Sequence, residues 1–272
     1  MYKFILFCVF IHGIPSVSAQ SVSTLMGARA QGMGYASSCL KDEWAIFNNI
    51  GGLSDLENPT AAFTYSSFPG FKSFNRMAAL VGLPTQFGVA GLGVFRFGDD
   101  LYNEQLITAG FSNTFGIASL GAKVNYIQYN AEGFGRKGVV SFSLGGITRF
   151  TPNFSVGAHI SNVLQPELSE EGDHLPTLLN IGVCFKPSQK LLLTTELEKD
   201  LDYALTWKAG VEYNVHKKFS LRTGFNVKPQ AGFLGFGFAP SAFRFDYAFT
   251  YRPDFVSQHQ ASVSYQFKKK AK

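Results

Sequence analysis

The chain has 272 residues and is 46% hydrophobic and 15% aromatic, with 28 Phe and 28 Gly but only 16% charged residues. Soluble domains carry about 25% charged residues, so this composition argues against an ordinary water-covered surface. After the first twenty residues no apolar stretch reaches the roughly 20 residues of a membrane-crossing helix, which excludes a helical bundle in a bilayer.

The first nineteen residues read as a signal peptide. Met1-Tyr2-Lys3 is a short basic start, Phe4 to Ile14 is apolar, and Pro15 breaks the run. Val17-Ser18-Ala19 then places small or β-branched residues at a peptidase site. Cleavage is expected after Ala19, with export to the envelope of a Gram-negative bacterium. Of the three cysteines, Cys8 leaves with the signal, and Cys39 and Cys184 remain. An oxidising periplasm permits pairing, but two distant cysteines make no framework; a buried thiol is the other reading of Cys184.

Residues 20–58 lack strand rhythm. Gly27 to Gly34 is small and flexible, and Asp42 to Phe47 suits a helical turn or two. A segment so rich in Gly and Ala can trail free or pack inside a narrow tube, and we read it as a lumenal hatch or plug.

Residues 59–268 alternate with period two, as strands do. Ala261, Val263, Tyr265 and Phe267 lie opposite Gln260, Ser262, Ser264 and Gln266; Phe243, Phe245, Tyr247, Phe249 and Tyr251 lie opposite Arg244, Asp246, Ala248 and Thr250. About fourteen strands are predicted, starting near residues 60, 73, 87, 103, 116, 137, 154, 176, 189, 203, 218, 231, 241 and 258. Phe87 to Phe97 and Val139 to Phe150 slip phase, which suggests bulges. Tight turns at Pro84–Gln86, Asn113–Phe115, Pro152-Asn153, Pro187–Gln189, His216-Lys217 and Ala239-Pro240 alternate with longer, more acidic connections at Gly98–Asp100, Ala131–Gly133, Leu164–Leu175 and Arg252–Gln258. Short turns at one end and loops at the other define a transmembrane antiparallel β-barrel. The rival, a soluble β-sandwich or barrel, needs a charged face toward water. Here the polar face is Ser, Thr, Gly, Asn and Gln, and the aromatic face would aggregate in water.

Several motifs resemble a known family. Gly27-Ala28-Arg29, Met33-Gly34, Ala36, Asp42, Ala45-Ile46-Phe47, Asn49 and Gly52-Leu53, with the closing strand His259 to Phe267, resemble the PorV/PorQ branch of the FadL-like outer-membrane barrels. The resemblance implies fourteen strands around an N-terminal lumenal hatch. Asn49, Gly52 and Leu53 match the family's Asn-Pro-Ala-Gly-Leu hatch motif, with Ile50 and Gly51 replacing Pro and Ala. Tyr265 and Phe267 match the C-terminal assembly signal, and five residues follow Phe267. PorV-like members serve type IX secretion in Bacteroidetes, which implies an accessory barrel bound to a secretion translocon or, failing that, to the barrel-assembly machinery. FadL members imply the alternative, a transporter of hydrophobic compounds.

The inward faces carry Lys123, Glu196, Glu198, Lys208, Glu212, Arg222, Arg244 and Asp246. Opposite charges on neighbouring strands should pair, since an isolated buried charge is costly. This polar lining favours the docking reading over a greasy channel. Catalysis finds little support: a hydrolase needs nucleophile, base and orienter in reach, and although His159 has Ser155 and Ser161 on its face, serines recur throughout these strands. No Cys/His or carboxylate cluster has metal-ligand spacing, Gly232 to Gly237 opens no helix as a phosphate cradle must, and no cofactor is implied. The basic tail Lys268 to Lys272 can meet nucleic acid or an anionic surface; we read it as solvated, without a nucleic-acid partner. The acidic loop, with Glu167, Glu170, Glu171 and Asp173, is likewise read as solvated. The partners expected are outer-membrane lipid and other outer-membrane proteins.

Overall fold

A sheet with one face toward lipid and one toward a lumen has no need of free edges. The computed structural model, which describes residues 22–167, 174–201, 203–253 and 255–268, is a closed antiparallel barrel of fourteen strands in which the first pairs with the last. The strands are β1 Thr60–Ser67, β2 Arg76–Thr85, β3 Gly88–Gly98, β4 Tyr102–Phe115, β5 Ala118–Ala131, β6 Gly135–Thr151 and β7 Phe154–Ser161. They continue as β8 Leu178–Ser188, β9 Leu191–Asp200, β10 Thr206–His216, β11 Phe219–Asn226, β12 Ala231–Phe238, β13 Phe243–Arg252 and β14 Phe255–Gln266. Each begins within three residues of its predicted start.

The two ends differ. Both strand termini, Thr60 and Gln266, sit at the end closed by the tight turns, two residues long between β2 and β3 and between β4 and β5. At the other end, sixteen residues separate β7 from β8. There Glu167 bridges to His174, and Glu170, Glu171 and Asp173 lie outside the described residues. The loop expected at Arg252–Gln258 is shorter, because β14 already begins at Phe255.

The phase slip read at Phe87–Phe97 is not a bulge: β3 pairs with β2 and β4 without a register shift. Its pattern blurs because both faces are apolar. Leu92 and Val94 point outward, while Val89 and Phe95 are buried against the N-terminal segment. Between β6 and β7 the register does shift, at Arg149/Thr151.

The outer wall exposes rows of Phe, Leu, Ile, Val, Tyr and Trp, an apolar band that only lipid can cover. Leu92, near the middle of β3 and 55% exposed, tests this. Leu92→Arg is expected to cost about 2–4 kcal/mol, the depth-dependent penalty of a midplane cation, measured by urea unfolding from liposomes. A neutral result would mean that this wall faces water.

Residues 22–58 lie inside the barrel. They enter at the long-loop end, where Val22 N donates to Glu104 on β4 at 3.2 Å and Arg76 on β2 donates to the Ser23 carbonyl at 3.1 Å. A short helix α1, Ala28–Gly32, and two 3-10 turns at Glu43–Ile46 and Ile50–Asp55 follow. Each 3-10 turn starts from a side-chain cap: Asp42 accepts from Trp44 N at 3.0 Å, and Asn49 from Gly51 N at 3.1 Å. Trp44, Ile46, Ile50 and Leu53 are fully buried, and with the inward apolar residues of β2 to β6 they form a core in what would otherwise be a pore.

Candidate functional site

The lumenal segment is seated by backbone contact. The Asn49 amide donates to the carbonyls of Ser38, at 2.6 Å, and Gly146 on β6, at 3.1 Å. It thereby joins the segment's own fold to the wall. A Cβ on Gly51 would lie 2.6 Å from Gly146 Cα, and one on Gly52 2.3 Å from the Leu40 carbonyl oxygen. Leu53 packs where Gly82 and Gly91 leave room. On β7, the strand adjacent to β6, the same fit recurs: a Cβ on Gly157 would lie 2.0 Å from the Ser38 carbonyl oxygen.

The lumenal charges fall into two clusters. In the first, Lys208 on β10 lies 2.6 Å from Glu198 and 3.4 Å from Glu196 on β9. The Asn180 amide donates to both carboxylates at 2.8 Å. Glu196 also accepts from Ser37 N, Ser38 N and Ser38 Oγ at 2.9, 2.7 and 2.6 Å, so this cluster grips the segment. In the second, Arg29 of α1 makes a bidentate contact with Glu212, at 2.8 and 2.7 Å, and reaches Asp42 at 3.0 Å. Arg222 bridges Glu212 at 2.6 Å and Asp246 at 2.7 Å, and Arg244 joins Asp246 at 3.1 Å. Lys123 stands apart: its ammonium donates to the carbonyls of Ile46 and Phe47 at 2.7 and 3.2 Å. Sequence reasoning missed Arg29 and Asp42 as network members; strand periodicity has no bearing on residues outside the strands. Beside them Glu43 is buried, which together with the neighbouring Asp42 charge holds its carboxyl above the ordinary range.

Cavities remain in the lumen among the described residues. At the long-loop end a vestibule of about 450 Å³ lies between Val22–Leu25, Phe47 and the walls of β4 to β10. At the short-turn end one of about 500 Å³ is lined by Lys190, Glu212, His216, Lys218 and Arg244. A smaller one of about 190 Å³ holds Cys39 and Cys184, both buried and free. The Cys39 thiol lies 3.3 Å from the Gly182 carbonyl, two residues along β8 from Cys184. His159 faces the vestibule with no hydrogen-bond partner on Nδ1. Among the described residues no three His, Cys, Asp or Glu side chains converge to hold a metal ion. At the closing strand, Tyr265 packs on Phe243 and Phe267, and Phe267 N donates to the Pro59 carbonyl at 2.8 Å. Lys269 to Lys272 lie outside the described residues.

A closed antiparallel barrel with an apolar outer wall, short turns at one end and a filled lumen is a β-barrel of the outer-membrane class. No protein-family profile matches the sequence, and no curated protein does. Solved structures do match in fold. The toluene transporter TodX of P. putida superposes with a TM-score of 0.67 at 12% identity, over 91% of this chain and 100% of that one. The monoaromatic hydrocarbon channel CymD gives 0.66 at 12% identity, over 93% and 100%. The Acinetobacter baumannii outer membrane protein Omp33 gives 0.53 at 8% identity, over 77% and 98%.

Proposed function

We propose that this chain is an outer-membrane channel for small hydrophobic molecules, closed by residues 22–58 acting as a hatch. The vestibule carries this reading. It opens at the long-loop end, which in this class faces outward, and has the size of a small-molecule pocket. Phe47, Leu106, Ile127 and Leu178 give it apolar surface, and it ends on a segment held to the wall by hydrogen bonds and ion pairs. That two neighbours of the same fold are named as a toluene transporter and a hydrocarbon channel supports it. On this reading the signal peptide ends at Ala19, and Tyr265 with Phe267 marks the chain for barrel assembly.

The ion network favours a second reading. A lumen locked shut by Arg29, Glu212 and Arg222 suits the accessory subunit implied by the PorV/PorQ resemblance, docked to a type IX translocon or to the assembly machinery. Uptake decides between them. Cells lacking the gene are expected to take up toluene-sized hydrophobic compounds several-fold more slowly, with recovery on complementation. Unchanged uptake, together with stoichiometric copurification in a larger outer-membrane complex, would transfer the assignment to the docking role.

A further inference from the structure

The vestibule is not a hydrocarbon pocket all round. Interleaved with the apolar Leu106, Ile127 and Leu178 stand Asn125 on β5, His159 on β7 and Asn180 on β8, each buried in the wall. His159 and Asn180 are register partners on adjacent strands, so their side chains rise side by side from one face. The amide nitrogen of Asn180 is spent on Glu196 and Glu198, and that of Asn125 contacts Ser141 and Ser143. Asn125 Oδ1, Asn180 Oδ1 and His159 Nδ1 are left without a hydrogen-bond partner. Buried polar atoms of this kind are rare, and each calls for an explanation. The three residues that carry them line the same cavity, which calls for a shared one.

Building on the transport reading, we infer that the vestibule takes a neutral molecule with an apolar body and one hydrogen-bond donor, a phenol or an alcohol, in preference to a plain hydrocarbon. Two carboxamide oxygens can only accept, so the matching ligand group must donate. An imidazole nitrogen next to them can accept as well or, in its other tautomer, donate to the ligand oxygen. Four charged residues line the vestibule, Lys123, Glu198, Asp200 and Lys228, two of each sign. The ligand's neutrality follows from the first two, which stand deeper in the wall. The Lys123 ammonium is committed to two backbone carbonyls, and Glu198 to Lys208 and Asn180. A charged ligand would have to displace one of these contacts; a hydroxyl would complete an unfinished set.

Toluene, p-cresol and p-toluate share one ring and one methyl and differ by a hydrogen, a hydroxyl and a carboxylate. Calorimetric binding of each to the purified full-length protein in detergent, with flux into proteoliposomes, tests the inference. The wild type is expected to favour p-cresol over toluene, and to favour p-toluate least. In Asn125→Leu the p-cresol preference is expected to fall about tenfold, the scale of one hydrogen bond, with toluene affinity kept; Asn180 is left in place because its amide also holds Glu196 and Glu198. Retained toluene binding also shows that the variant is folded. Equal affinity for toluene and p-cresol in the wild type, or a preference for p-toluate, overturns the inference and leaves the transport reading standing. Failure of all three to bind or cross removes the transport reading and the inference with it.

Discussion

Replacing Arg222 with Leu is expected to cost the barrel about 3–5 kcal/mol of stability, the range seen when one partner of a buried ion pair is removed. The reason is charge balance in a dry place. Arg222 has no exposed side-chain surface, and it holds Glu212 at 2.6 Å and Asp246 at 2.7 Å. With Arg29 and Arg244 it makes three cations against Asp42, Glu212 and Asp246. Losing the central one leaves three carboxylates to two guanidinium groups, and the excess charge stays buried. Arg222→Leu combined with Asp246→Leu removes a cation and an anion together, so it should recover part of the loss, as apolar replacement of a buried pair often does. Arg96→Ala is the control. Arg96 is 3.7 Å from Asp100, and both are well exposed, so the change should stay within about 1 kcal/mol. Urea unfolding from liposomes measures all three variants. If Arg222→Leu falls as little as the control, water reaches the network and it holds nothing.

That network also marks how far sequence reasoning reaches. Glu212 and Arg222 are direct cross-strand partners, and Glu196 and Lys208 likewise, so placing strands at roughly the right residues was enough to pair them. The link from Arg222 to Asp246 was out of reach, because it passes over β12. There Gly237 is opposite Asp246, and a Cβ on it would lie 2.6 Å from Arg222 Nη2. Neighbour-pair rules do not anticipate a strand made thin enough to reach across. Arg29 and Asp42 were harder still, since they belong to a segment with no period. The strands themselves were readable for a physical reason: a wall between lipid and a polar lumen has two chemically opposed faces, as in β13 and β14. Where the lumenal face packs on an apolar segment instead, as at Val89 and Phe95, that opposition disappears. The bulge expected in β3 disappears with it. The same blind spot hid the vestibule. Asn125, His159 and Asn180 belong to separate strands, and what unites them is the void left above Phe47.

The hatch role proposed for residues 22–58 yields the other large expected effect. Gly157→Val should open the lumen to ions, because a Cβ there would lie 2.0 Å from the Ser38 carbonyl oxygen and one of the two backbones must move. The wall is the stiffer partner, with β7 hydrogen-bonded to β6 and β8 along its length. Ser38 is held mainly through Glu196 and Asn49, which are side chains able to swing. Overpacking costs about 1–3 kcal/mol, and if that strain falls on the closed state it raises the ratio of open to closed forms by about 5- to 150-fold. In planar bilayers the wild type should show little conductance, and Gly157→Val frequent long openings. Arg29→Ala, which cuts the tie to Glu212, should add to them. Gly232→Val provides the comparison, since a Cβ on Gly232 meets nothing within 4 Å, and its traces should match the wild type. Silent bilayers with Gly157→Val, from protein that still runs as a folded heat-modifiable band, would mean that residues 22–58 are a fixed core and not a hatch. The vestibule would then have to empty sideways through the wall.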